Sequence, residues 1–498
     1  MGRHKASGHH QTLKTGHHHF DRKDAVGHGG DHHKGGGWPC GGEGRDRAPD
    51  KHAVLVGATV PFNYEPWLYD SKDLSLLAEI ADGSIGSSPS SFFETDGLLF
   101  FRAYDTEEDN ELYLYDPKRE LLRIEDINPT GSSYAGQTGF EKLGGSVYFM
   151  ADDGTHGREL WSYDLASGTA SLTADINPEG SSYASNFISV SGKLYFIAYT
   201  PELGHELWMY DPGKDAASPV SDINPYGSSL NGLDMEFTEL DGSLYFFATT
   251  FAPSGVSYIV DIELYRHDTE TGLTQQVADI NPDGPSFISG YAEMAVFDEK
   301  LFFNAFNDAT GAELWVYSPG DDSLELIDSI RPGPESANAG RYGFVEMRGE
   351  IYFAAHDGEH GLELWAYDLR DESTRLVWDI EPGAEGSLLG IDPTFTEFRG
   401  KLYFAARTEE YGYDLFVYDP RKDHVSALDL VEGDADSLVL VLGAMGNQLM
   451  VAVTEEVEGG LEWRAAVSHG VPKSAEDFTI LEADGEIFAP YGPDAFIF

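Results

Sequence analysis

From residue 53 onward the chain is written in apolar runs of four to eight residues, each bounded by Gly, Pro, Asn or Asp. A helical 3.6-residue period is missing throughout, so the runs predict short strands rather than helices. In residues 192–198 (GKLYFIA) neighbouring positions are all large and apolar in body, whereas a sheet with one wet face would alternate with charges. Such strands are expected to be covered on both faces. The Asp96-Gly97 and Asp241-Gly242 dipeptides between successive runs predict tight two-residue hairpins.

The runs recur in a fixed order. One word is anchored at Trp67, Tyr113, Trp161, Trp208, Tyr265, Trp315, Trp365, Phe416 and Trp463, with 46 to 57 residues between anchors. Around it lie an FxxLxG word (FEKLGG, FTELDG, FVEMRG), an LYFxA word (residues 194–198, 244–248 and 402–406) and a segment that ends in Asp-Ile. Four short strands per period of about 50 residues is the signature of an all-β β-propeller, in which one blade cannot bury its faces alone but a closed ring of copies can. Nine anchors predict about nine four-stranded blades. Eight is the alternative, because the first and last repeats are incomplete. The initial HAVLVGATV and the terminal GEIFAPYG look like two halves of one closing blade. The anchor tryptophans are read as inter-blade packing rather than as ligand-stacking surfaces.

Residues 1–52 are another material: ten of the 17 histidines lie there, and almost nothing aliphatic. This stretch is expected to be a disordered His/Gly-rich tail and linker, with the propeller over 53–498. Its clusters His17, His18, His19, His32 and His33 are candidate ligands for a divalent transition metal, since neutral imidazole suits zinc, copper or nickel. The bland alternative is a flexible tail or expression scar.

Charge narrows the partners. The tail holds nine of the 32 Lys/Arg and six of the 86 Asp/Glu, which leaves 23 against 80 for the rest. Such a surface repels nucleic acid and anionic membranes and attracts cations. Cys40 is the single cysteine, so the fold stands without an intramolecular disulfide. Neither a secretory apolar core near the N-terminus nor an apolar run long enough for a membrane helix is visible, so no membrane insertion is expected. The ending FAPYGPDAFIF, acidic and then apolar, resembles the uncleaved C-terminal segments of leaderless bacterial type I export substrates. An extracellular or cell-surface location is the expectation, with a cytoplasmic one as the alternative. The same residues are also read as the last strand sealing the ring.

The residues Glu159-Leu160-Trp161, Ser167-Gly168-Thr169 and Asp175-Ile176-Asn177-Pro178 resemble the repeats of the bacterial ELWxxDGT-repeat proteins, over about residues 60–430. The turn after ELW departs from that pattern, with Tyr-Asp followed by Leu, Pro or Thr. The resemblance implies a propeller-like surface or secreted repeat protein rather than a defined enzyme class.

With FxxLxG as the innermost strand, the loops between second and third strands and those between blades emerge on one face. That face collects Asp126, Asn128, Asp175, Asn177, Asp222, Asn224, Asp279, Asn281 and Asp379 from the inter-blade loops, and Asp153 and Asp357 from the others. Hard cations want several carboxylate and carbonyl oxygens, and hydroxyl-rich glycans want the same acceptors, so calcium or a glycan is the candidate ligand. The structural reading is that Asx and Ser turns here tie down their own backbone. His156 and His360 share a register, and His356 with His360 reads as a turn pair rather than a metal pair. Nucleophile-elbow, HExxH, Walker and CxxC patterns are absent. The sequence therefore predicts a non-enzymatic binding or surface module. A hydrolase or lyase at the channel mouth is the runner-up, and a structural repeat of a surface layer or filament the third reading. The insertion over residues 251–263, which breaks the repeat, is the candidate place for chemistry.

Overall fold

A computed structural model describes residues 53–497 apart from 59–63, 82–85, 106–108, 123–125, 231–236, 288–293, 389–394, 431–437 and a few single or paired positions. The expected tail, and with it His17, His18, His19, His32 and His33, lies outside the described residues. Those residues form an all-β propeller, and their only helical element is the single 3₁₀ turn Ala475–Asp477. Eight four-stranded antiparallel sheets are each cut from one unbroken stretch, covering residues 90–122, 140–174, 185–219, 238–276, 294–326, 345–378, 396–427 and 439–480. These are blades two to nine, and their strands are A to D in chain order.

Blade one is composite. Strands Ala53–Ala58, Glu65–Tyr69 and Leu74–Leu76 supply B, C and D, while Ala489–Ile497 supplies A from the far end of the chain. The seam pairs Ala53 with Ile497, Val54 with Phe496 and Gly57 with Pro490. The two incomplete repeats thus complete each other, and the sealing role expected of the last residues holds.

The A strands converge on the axis, since those of neighbouring blades touch one another. In blades two to nine the A–B connection is a two-residue turn, and in six of the eight both turn residues take the left-handed backbone that a type I′ hairpin requires, Gly145 of blade three and Asn447 of blade nine being the exceptions. Asp96 and Gly97 lie at φ 53° and 75°, Asp241 and Gly242 at 51° and 69°. Strand B is buried along its length, as Leu194, Tyr195, Phe196, Ile197 and Ala198 show. Its two faces feed two different inter-blade cores.

Between blades the same aromatic contact returns. The second large residue of strand B in one blade meets the aromatic two places beyond the anchor in the next: Tyr148 with Tyr210, Tyr245 with Tyr317 and Tyr352 with Tyr418, all at 5.6 Å between centroids. In blade five His267 takes that place against Tyr195. The anchors pack where the repeat requires: Trp208 is 8% exposed and sits with Leu194 and Phe196 of its own blade and Tyr148 and Met150 of the blade before. The ring closes the same way, with Leu55, Trp67 and Tyr69 of blade one against Met450 and Ala465 of blade nine.

Candidate functional site

The strand directions bring the B–C loops and the D–A inter-blade loops to one face, called here the upper face. What holds this face together is the Glu before each anchor, a residue the sequence reading passed over. In blades one to seven it is Glu65, Glu111, Glu159, Glu206, Glu263, Glu313 and Glu363, each buried, and Asp414 stands there in blade eight. Each carboxylate accepts hydrogen bonds from the inter-blade loop that follows its own blade. Glu363 is the fullest case, receiving the N–H groups of Ile380 and Glu381 at 3.2 Å, that of Ser387 at 2.9 Å and the Ser387 hydroxyl at 2.6 Å. Glu206 takes Ile223 and Ser229 in the same way, and Glu263 takes Ile280 and Asn281.

The consequence is electrostatic. Burial pushes Glu111, Glu206, Glu263, Glu313 and Glu363 up to about 7, although the donors that reach each of them favour the ionised form. Glu65 and Glu159 are shifted in the same direction for the same reason. The sequence did carry a signal: an acid at one fixed place beside strands that are otherwise apolar, repeat after repeat.

The expected site residues separate into two kinds. Asn128, Asn177, Asn224 and Asn281 are buried and use their amides on their own loops, donating to the carbonyls of Ser132, Ser181, Ser228 and Pro285 at 2.9 to 3.2 Å. Asp126, Asp175, Asp222 and Asp279 are exposed around the rim, and Asp379 is half-buried. They are spread one per inter-blade loop rather than gathered. Asp153 accepts the N–H groups of Thr155 and His156 and pairs with His156 Nδ1 at 2.8 Å; Asp357 does the same for Glu359 and His360, with His360 Nδ1 at 2.7 Å. These bonds raise both histidines above the ordinary imidazole value. His356 instead accepts the N–H of Gly358, so the two histidines of that loop serve separate turns. Among the described residues no three His, Cys, Asp or Glu side chains converge as a metal-ligating group.

The repeat is broken elsewhere on this face. The insertion lengthens strands B and C of blade five to twelve residues each, Ser243–Ser254 and Ser257–Asp268, so that a hairpin stands above the blade. Phe251 on it lies over Gly227, where a Cβ would be 3.9 Å from its ring. Exposed apolar side chains gather here too. Of the seven large ones among the described residues, Leu76, Tyr104, Tyr183, Tyr226, Val260 and Trp378 belong to loops or strand ends of the upper face, and Leu273 alone to the opposite one. Arg158 adds a cation stacked 4.0 Å from the centroid of Tyr134, with Tyr183 beyond it at 5.9 Å.

No family model matches this sequence, and no curated protein matches it. Among solved structures it is similar to TolB from Acinetobacter baumannii (14% identity, 55% of this chain and 62% of that one, TM-score 0.29). It is also similar to a puromycin hydrolase (13% identity, 72% and 57%, TM-score 0.34) and to a puromycin-hydrolyzing peptidase of Mycobacterium tuberculosis (11% identity, 69% and 52%, TM-score 0.36). The match spans between about half and less than two thirds of each of those chains.

Proposed function

We propose that the chain is a non-enzymatic binding propeller whose upper face takes a hydroxyl-rich glycan. The observation that carries this reading is the sorting of exposed apolar side chains onto one face, six of the seven, among exposed carboxylates. Isolated surface apolar residues need no explanation, but a concentration on one face marks an interaction surface. Aromatic rings beside carboxylate acceptors suit a sugar, which has an apolar ring face and a rim of hydroxyl donors. Tyr226, 58% exposed, and Tyr183, 47% exposed, are the foremost such platforms. The ordered, buried part of each loop supplies the rigidity; the rim supplies contact. The resemblance to ELWxxDGT-repeat proteins and an extracellular or surface location agree with such a role.

The test is a glycan array probed with the full chain, followed by titration of the best ligand against Tyr183→Ala and Tyr226→Ala. Binding should weaken by about tenfold or more for at least one, equivalent to about 1.4 kcal/mol, with the melting temperature unchanged. A protein that binds no glycan on the array, or one whose glycan affinity ignores both substitutions, overturns the reading.

A further inference from the structure

A pocket of about 500 Å³ opens at the upper face between blades seven and eight. One wall is Trp378, the last residue of strand D in blade seven, 37% exposed. His424, which opens strand D of blade eight, meets it edge to face at 5.2 Å and 85°. Tyr411 of the B–C loop in blade eight is a further aromatic side. Glu381, Glu409 and Glu410 stand around them, and among the described residues no Lys or Arg lines the cavity. The Glu409 N–H donates to Glu381 Oε2 at 2.8 Å, which fastens the two blades' loops across the opening.

The residues that make this pocket are not required by the repeat. Trp378 pairs with Leu364 as Ala174 pairs with Leu160 in blade three, so the fold accepts a methyl group where blade seven has an indole. Tyr411 donates its N–H to Thr408 Oγ1 as Leu203 donates to Thr200 Oγ1 in blade four, so an aliphatic side chain satisfies the same loop. Glu409 likewise replaces Pro201 at the matching place. Relative to blades three and four, this junction carries aromatic rings and acids where they have plain residues.

Aromatic faces and carboxylates without a resident cation are complementary to a positive, flat group. A hydrated metal ion would gain nothing from the indole, and a neutral sugar, although its hydroxyls can donate to carboxylates, would leave the three negative charges uncompensated. A guanidinium stacks on Trp or Tyr and gives paired hydrogen bonds to carboxylates, where an ammonium ion offers only a point charge. We propose that this pocket is a binding site for the guanidinium of an arginine side chain presented by a basic peptide. Trp378 is also one of the six exposed apolar residues of the upper face, but the glycan reading is tested at Tyr183 and Tyr226, which do not line this pocket, so either reading can fail without the other.

The experiment titrates the full chain with a short peptide carrying one central arginine, and with the same peptide carrying lysine or citrulline there. Binding is followed by calorimetry and tryptophan fluorescence. The arginine peptide should bind, the lysine peptide at least about tenfold more weakly, and the neutral citrulline peptide not at all. Trp378→Ala and the pair Glu409→Gln, Glu410→Gln should each abolish binding while melting as the parent does. Trp378→Phe should retain part of it. The pair Asp175→Asn, Asp222→Asn, which removes as much charge from the same face away from the pocket, should leave it unchanged. Absence of binding overturns the proposal, as does equal binding of arginine and lysine peptides that falls alike in the pocket variants and the distant charge pair.

Discussion

Raising the pH from about 5 to about 8 is expected to lower the melting temperature, the reverse of what carboxylate-rich proteins usually show. Glu111, Glu206, Glu263, Glu313 and Glu363 sit near 7 in the folded protein, against 4.5 for a free glutamate. Between those values the native state binds more protons than the unfolded chain, so stability falls as pH rises. Their contribution is whole below the unfolded value and is lost as pH passes through about 7. Each extra proton held by the native state steepens the slope by about 1.4 kcal/mol per pH unit. His267 opposes this, because burial drives it down to about 4, and its contribution is lost as pH falls from 6.5. Burial lowers His205 and His356 as well, so three histidines stand against these five glutamates, with Glu65 and Glu159 shifted on the glutamates' side. The depressed turn aspartates Asp164, Asp211, Asp268 and Asp368 act only at the acid end, where their ordinary range begins. The formal charge of -54 adds self-repulsion in the same direction as the glutamates. Calorimetric scans across this range, on the parent and on Glu363→Gln, measure the slope directly. The variant should show a shallower dependence, and a parent whose stability is flat or rises with pH would refute the account.

Trp208→Ala is expected to destabilise the protein by roughly 3 to 5 kcal/mol, the range for a large aromatic removed from a packed site. The indole fills the junction of blades three and four, and its walls, Tyr148, Met150, Leu194 and Phe196, are strand residues of two sheets that cannot collapse inward without breaking ladder bonds. Its Nε1 finds no acceptor among the described residues, so the loss is one of packing rather than of hydrogen bonding. Trp315 differs, since its Nε1 donates to the Ala305 carbonyl at 3.1 Å. Urea unfolding of Trp208→Ala, with acrylamide quenching of the parent, checks both halves of the claim. An accessible Trp208 or an unchanged midpoint would count against it.

The blades were legible because their physics is local. Four apolar runs per period, Asp-Gly turns that need positive φ, and two half-repeats at the ends require only a ring to make sense, and Ala53–Ala58 with Ala489–Ile497 supplies the closure. The face was less legible. Asn177 and Asp175 are both polar and two residues apart, yet one is buried holding its loop and the other faces water, a distinction that depends on where the loop lands after strand D. The burial of Glu159 was hard to read from its repeated position for a related reason: its partners, Ile176 and Ser182, lie 17 and 23 residues on, and an acid at a strand's start ordinarily reads as solvated. Trp378 went unremarked because it ends strand D, the outermost and often the shortest word of the repeat, where alignment by pattern is weakest.

The seam of the composite blade has a mechanical meaning. Ala53 and Ile497 face each other as the last pair of an antiparallel ladder, with the chain leaving both at the same end. Tension applied through these two residues pulls the strands apart along the hydrogen bonds rather than sliding one strand past the other. The load falls on Ala53 and Ile497 first, then on Val54 and Phe496, each pair bearing it alone before the next. A shear-loaded joint shares force over all its bonds, but this one peels. Strung between two tethers, the propeller would yield at its seam and open into an arc of still-folded blades, a low-force extension built into the way the ring is closed.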